Sequence, residues 1–232
     1  MSAAAGSDLV LSGVEDGVAG ILFNRADTRN AWTPEMADAY HDALDAAADD
    51  DDVKVIVVTG AGDSFCTAEL RPPPPPSARR RSPLHPLSVP KPIIAAVNGA
   101  CEGMGLAEAL LCDVRFASAS ATMTLPYVRR GRPLPDALAW LLPRVVGLGA
   151  ALDVALSGRD VNSRDALRLG LVSGVFADDE LTERVVAYAG RIVERADASA
   201  AASIKAQVYR ATEMGLGQTI DDAEVLASQR QE

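Results

Sequence analysis

The sequence predicts an α/β protein, with stacked β-α units in its first half and helices in its second. Two runs carry the first part of that reading. Val53–Thr59 (VKVIVVT) and Pro92–Val97 (PIIAAV) are short and apolar, and each ends at a glycine-bearing turn, as buried strands do. Segments of helical period lie between and after them, and strands alternating with helices argue for a layered sheet-and-helix architecture. From Asp136 onward the apolar spacing is mostly helical.

Along the chain, Leu9–Leu11 and Val18–Phe23 read as two short strands joined through Gly13 and the Glu15-Asp16-Gly17 turn. Thr33 is placed to cap a helix and Pro34 suits its first turn. Met36, Ala39, Tyr40, Leu44 and Ala47 supply its apolar face, and the acidic run Asp49–Asp52 ends it. Asp63 to Lys91 is the least regular segment. Its five consecutive prolines, Pro72–Pro76, cannot enter a helix or a central strand, so an exposed loop is expected. Asn98-Gly99 turns the chain into a helix over Gly103–Leu111, followed by strands at Asp113–Ala117 and Thr122–Leu125. Helices are expected over Asp136–Val146, Gly149–Leu156, Ser163–Leu169, Leu181–Arg195, Ala198–Met214 and Thr219–Arg230, with a short extended piece at Leu171–Phe176. The division this suggests is a core over residues 1–180 and a helical region over 181–232.

Composition narrows the function. Aromatic residues make up only 4% of the chain, so an aliphatic core is expected. The net charge is −10, which repels phosphate backbones and argues against nucleic-acid binding. Cys66, Cys101 and Cys112 have no paired spacing, so neither a disulfide framework nor a zinc ribbon is expected, and a reducing cytoplasm fits. The N-terminus has neither a basic start nor an apolar run, and no apolar stretch approaches the roughly 18 residues of a membrane span. His41 and His85 are the two histidines, and without a GxSxG elbow a hydrolase triad has little support. No acidic or histidine set has metal-ligand spacing.

Several segments, in order, resemble the crotonase superfamily (the enoyl-CoA hydratase/isomerase family). Phe23-Asn24-Arg25 with Thr28-Arg29-Asn30-Ala31 is similar to its "NRP…KRNA" signature. Val57 to Cys66 (VVTGAGDSFC) is similar to "VLTGAGRAFC", Lys91 to Gly99 (KPIIAAVNG) to "KPVIAAVNG", and Cys112 to Ala117 (CDVRFA) to "CDLRIA". Leu142-Pro143-Arg144-Val145-Val146-Gly147 and Leu169-Gly170-Leu171-Val172 follow in the expected order. The likeness runs from about Leu9 to about Val175, the last helices match more weakly, and the chain ends earlier than such proteins usually do.

The resemblance implies a crotonase-like stack of β-β-α units with a C-terminal helical trimerisation region, hence a homotrimer or dimer of trimers. It implies an acyl-coenzyme A substrate, coenzyme A being part of that substrate and no separate cofactor being needed. Two backbone N–H groups would polarise the thioester carbonyl and hold an enolate-like oxyanion. Matching Glu69 to the family's acid puts the first donor on Ala68, with Thr67 as the alternative, and Leu70 beside it. The family's three glycines fall on Gly103, Met104 and Gly105, so the second donor is the Met104 amide. Arg25, Arg29 and Ala31 fall in the segment that lines the coenzyme A channel. Arg129-Arg130 and Arg79–Arg81 are further basic candidates, although a solvated charge run is the ordinary account of the latter.

The family's two catalytic glutamates fall on Ala107 and on Tyr127, which follows Pro126. Hydration needs carboxylates to hold water and move protons, so ordinary hydratase activity is not expected. Asp136, at a helix start after Pro135, and Tyr127 are the candidate acid/base groups of an isomerase or hydrolase variant. Glu102 could reach the pocket mouth, whereas Glu108 should point away from the Ala107 position. A catalytically degenerate acyl-CoA-binding or assembly subunit is the other reading that the sequence leaves open.

Overall fold

A computed structural model of the chain describes residues 8–67, 81–135 and 138–228. Strands β1 (Val10–Glu15) and β2 (Val18–Phe23) form an antiparallel hairpin. Its two turn residues, Asp16 and Gly17, both have positive φ (+48° and +79°), the combination that matches strand twist in a two-residue hairpin. Strands β3 (Val55–Gly60), β5 (Ile93–Val97), β7 (Val114–Ser118) and β10 (Gly174–Phe176) extend it in parallel, in the order β1-β2-β3-β5-β7-β10. A second sheet has the order β4-β6-β8-β9, built from Ser64–Cys66, Ala100–Glu102, Thr122–Thr124 and Asp160–Asn162.

Parallel strands buried on both faces read as continuous apolar runs, and β3 and β5 do so because two layers cover them. On one face Val55, Val57, Ile94, Ala96 and Phe116 pack against Leu181, Val185 and Ala189 of α7 (Leu181–Arg195). On the other, Ile56, Val58, Ile93 and Ala95 join the main core with α1 (Pro34–Asp49), α3 (Met104–Leu111), and Phe65, Cys101 and Met123 of the second sheet. Thr33 caps α1 as expected, its Oγ1 accepting from the Met36 amide at 3.2 Å. The remaining helices are α2 (His85–Ser88), α4 (Leu138–Val146), α5 (Leu148–Ser157), α6 (Ser163–Leu169), α8 (Ala198–Ala211) and α9 (Leu216–Ser228). Among the described residues, no helix is long and apolar enough to cross a membrane.

The structure corrects the sequence reading at several points. The segment expected to be an exposed irregular loop begins with buried strand β4 and ends with helix α2. The Asn98-Gly99 turn leads into strand β6 before α3, and β9 stands where no strand was expected. These strands are three residues long, too short to show a period of two. The core is mainly aliphatic, as expected, and it also holds one aromatic cluster, in which Phe23 packs edge-to-face on Trp32, Tyr40 and Phe65 at centroid distances of 5.7, 5.3 and 5.4 Å. Arg81 is not part of a solvated run. It bridges Asp42 and Asp45 of α1, at 2.7 and 2.6 Å.

Candidate active site

The parallel strands β4, β6 and β8 end at one edge of the second sheet, and three sequence-predicted segments meet there. The first is the loop over residues 25–32. Arg29 and Asn30 both adopt the left-handed conformation (φ +55° and +53°), uncommon for residues with a side chain. Asn30, fully buried, holds the loop. Its Oδ1 accepts from the Arg25 amide at 2.8 Å, and its Nδ2 donates to the carbonyls of Ala61 and Ser64 at 2.9 and 2.7 Å. Arg25 is turned onto the same loop, Nη1 donating to the Ala31 carbonyl at 2.9 Å. Arg29 is exposed and its guanidinium approaches Ser64 Oγ at 3.4 Å and Glu102 Oε1 at 3.6 Å.

The second segment is the end of β4. Thr67 Oγ1 donates to the Arg29 carbonyl at 3.1 Å, and the Trp32 amide donates to the Thr67 carbonyl at 3.4 Å. The chain is therefore fixed to the first loop immediately before position 68. Ala68, Glu69, Leu70, Arg79 and Arg80 lie outside the described residues, as does Asp136, two residues before α4.

The third segment is the start of α3. Gly103 has φ +58° and ψ −113°, a conformation open to glycine, and its amide donates to the Thr124 carbonyl at 2.9 Å. The first bond of the helical turn runs from the Ala107 amide to the Gly103 carbonyl at 3.1 Å. The amides of Met104, Gly105 and Leu106 precede it and have no carbonyl within the helix to meet. Amides at a helix start favour negative charge, through both their hydrogens and the helix dipole. The Met104 side chain is buried in the main core. Gly105 faces the end of β4 so closely that a Cβ there would stand 2.0 Å from the Cys66 carbonyl oxygen.

Side chains around this junction limit its chemistry. Positions 107 and 127 are alanine and tyrosine, so neither offers a carboxylate, and both are buried, at 2% and 4% exposed. Glu108, beside Ala107 on α3, is buried, 2% exposed. Burial pushes the thiol of Cys66, next to the junction, well above its ordinary range, so it holds its proton. Burial and the charges of His85 and Arg81 lower His41 to about 4. His41 and His85 meet edge-to-face with centroids 5.0 Å apart, between α1 and α2, where His85 Nε2 meets Asp45 at 2.7 Å. Glu102, Thr124, Pro126, Arg129, Arg130 and Asp160 line a polar cavity of about 320 Å³. Arg129 is already engaged there by the Gly158 carbonyl and Asp160. Among the described residues, no cluster of His, Cys, Asp and Glu could hold a metal ion.

Residues 82–231, more than half of the chain, match the family model described as enoyl-CoA hydratase/isomerase. The chain belongs to the enoyl-CoA hydratase/isomerase family. It is 41% identical over 103 residues to the probable enoyl-CoA hydratase EchA12 of Mycobacterium tuberculosis, a match spanning 44% of this chain and 36% of that protein. It is 31% identical over 191 residues to the 1,2-epoxyphenylacetyl-CoA isomerase of Escherichia coli, covering 76% of this chain and 72% of that one. Among solved structures, a probable enoyl-CoA hydratase/isomerase from Mycobacterium abscessus superimposes with a TM-score of 0.86 at 29% identity, over 95% of this chain and 89% of the other. The expected crotonase-like α/β fold is thus the fold of this enoyl-CoA hydratase/isomerase family member. Gly105 and Asn30 were legible only as parts of motifs; the backbone contact of the first and the three bonds of the second give them their roles.

Proposed function

We propose that this chain binds an acyl-coenzyme A thioester where β4 meets α3, and stabilises the thioester enolate with the backbone N–H groups of Ala68 and Met104. The observation that carries this reading is the close approach at Gly105, which brings the first turn of α3 against the strand leading to position 68. Preorganised amide donors need no reorganisation as charge builds on the carbonyl oxygen. Loss of one such donor typically costs about 2.7–4 kcal/mol of transition-state stabilisation.

The reaction we assign is a proton shift rather than hydration. With Ala107 and Tyr127 in place of two carboxylates, an attacking water has no pair of groups to activate it and protonate the product. Isomerisation needs less. One group removes a proton from a carbon beside the polarised system and returns it to another carbon, so one C–H bond breaks, one forms and the double bond moves. Asp136 or Tyr127 is the group we assign, and Tyr127 follows directly on Pro126 near the end of β8. The name of the Escherichia coli relative, an isomerase of a CoA thioester, supports this assignment. Arg25 and Arg29 lie on the loop beside the junction, and Arg29, exposed, is the one available to coenzyme A phosphates. We place the protein in the cytoplasm as a homotrimer or dimer of trimers.

Alanine at 107 and tyrosine at 127, in place of two carboxylates, also favour a second reading, an acyl-CoA-binding or assembly subunit without turnover. One set of measurements separates the readings. Calorimetry with saturated acyl-CoA esters should give binding, trans-2-enoyl-CoA should not be hydrated, and trans-3-enoyl-CoA should be converted to the 2-enoyl isomer. Loss of that conversion in Asp136→Asn or Tyr127→Phe, with binding kept, identifies the acid/base group. Binding without any conversion supports the second reading, and no binding of any CoA ester rejects both.

A further inference from the structure

Glu102 ends β6, one position before the glycine that opens α3. Its register fixes the direction of its side chain. Successive side chains along a strand point to opposite faces, and Cys101 and Met123 enter the main core. Glu102 and its partner Thr124 therefore face the other side of the second sheet, where they line the polar cavity with Arg129, Arg130 and Asp160. Thr124 Oγ1 donates to Asp160 Oδ1 at 2.7 Å, and the same oxygen lies 3.5 Å from Arg129, so that end of the row is already matched. Glu102 instead pairs with Arg29, at 3.6 Å.

Arg29 reaches that carboxylate from the neighbouring loop. Its backbone is left-handed, and Thr67 Oγ1 donates to its carbonyl. Its Nε donates to Ser64 Oγ at 3.4 Å, and that hydroxyl in turn donates to Asp63 Oδ1 at 3.0 Å. The guanidinium thus stands between two acids, Glu102 directly and Asp63 behind a hydroxyl. The Arg29 side chain is still 56% exposed. Arg25, the other cation of the loop, is committed to the Ala31 carbonyl. An anion approaching this loop therefore meets an exposed cation with a carboxylate already beside it.

We infer that Glu102 is a specificity-determining residue of the acyl-coenzyme A site, a built-in counter-anion that weakens the grip of Arg29 on the phosphates of coenzyme A. The inference rests on the acyl-coenzyme A reading proposed above. A phosphate bound to Arg29 shares that cation with Glu102 and is repelled by the carboxylate. Both effects oppose binding, and neither acts on a thioester that carries no phosphate. Glu102 therefore lowers affinity for a coenzyme A ester relative to the same acyl group on pantetheine, and specificity is that difference. A partly exposed pair of this kind adds little to the stability of the fold, so its charge can be removed with the chain still folded.

Calorimetry of the full chain with butyryl-coenzyme A and with butyryl-pantetheine tests it. Glu102→Gln keeps the shape and removes the charge. It should tighten the coenzyme A ester about threefold to fivefold, the scale of one exposed ion pair, and leave the pantetheine ester unchanged. The gain should shrink in high salt, where exposed charges are screened. In an Arg29→Ala background most of it should disappear, because the two residues act as a pair. Glu102→Ala should shift affinity in the same direction and decides the matter if the glutamine variant fails to fold. Unchanged or weaker binding of butyryl-coenzyme A in these variants overturns the inference, since Glu102 would then be idle or would position Arg29. Equal tightening of both esters overturns it too, because the effect would not run through the phosphates. These results leave the acyl-coenzyme A reading standing, whereas a parent chain that binds neither ester rejects that reading and the inference with it.

Discussion

A Cβ on Gly105 would stand 2.0 Å from the carbonyl oxygen of Cys66, a separation no pair of such atoms tolerates. The first turn of α3 and the end of β4 are in backbone contact, and that contact decides how the proposed site is assembled. Gly105→Ala should force them apart at a cost of about 1–3 kcal/mol or more. At about 2–4 °C per kcal/mol for a chain of this size, the melting temperature should drop by several degrees. Acyl-CoA affinity should fall with it. Gly149→Ala in α5 is the control, because nothing lies within 4 Å of its Cβ position. It should be neutral or stabilising by up to about 1 kcal/mol. Equal effects at both positions would remove Gly105 from its assigned role.

Asn30 gives a second test. It accepts from Arg25 and donates to Ala61 and Ser64 while fully buried. Asn30→Ala removes one bond from each of three main-chain groups and puts alanine at φ +53°. An unsatisfied buried group costs about 1–3 kcal/mol and a part-buried one less, and one of the three bonds is buried, so urea denaturation should register a loss of about 2–3 kcal/mol. A loss below about 1 kcal/mol would mean that the loop holds its shape without Asn30.

How far the sequence was legible follows from the length of each element. The strands β2, β3 and β5 and the helix α1 announced themselves, because five or more residues of one period and a capping threonine give an unambiguous pattern. Among the three-residue strands, β8 and β10 were read as extended pieces, whereas β4, β6 and β9 were not, since they are defined by neighbours far away in the chain. The same holds at the site. Ala107 and Tyr127 were visible as departures from a motif, but the Thr67–Arg29 bond and the Gly105–Cys66 contact join residues 38 or more positions apart. Nor could local sequence distinguish Arg81, held between Asp42 and Asp45, from a solvated charge.

His41 should make the fold sensitive to acid. Burial, then the charges of His85 and Arg81, lower it from 6.5 to about 4, while Asp45 and Asp42 pull weakly the other way. An unfolded imidazole takes up its proton near pH 6.5, whereas the folded one resists until about pH 4. The unfolded state therefore binds more protons in that window, and stability falls as the pH is lowered through it, by roughly 3 kcal/mol in total. Its Nε2 is buried without a hydrogen bond among the described residues, so His41→Leu should keep its stability at pH 7. Urea titrations at pH 7 and pH 5 should show a smaller loss in the variant than in the parent. Identical losses would mean that His41 is protonated in the folded state.

Lys205 ties α8 to the body of the protein. Its ammonium pairs with Asp113 at 2.9 Å and donates to the carbonyls of Pro86 and Lys91 at 3.3 and 3.2 Å, with its side chain almost fully enclosed. Removing one member of a buried pair is far costlier than removing both, because the survivor keeps its desolvation penalty. Lys205→Met should therefore cost about 3–5 kcal/mol, and Lys205→Met with Asp113→Asn should recover part of it. The damage should be local. Amide exchange should accelerate over residues 198–211 before it does in β3 or β5, whose strands are covered on both faces. Uniform acceleration throughout the chain would mean that the pair supports the whole core rather than the docking of α8.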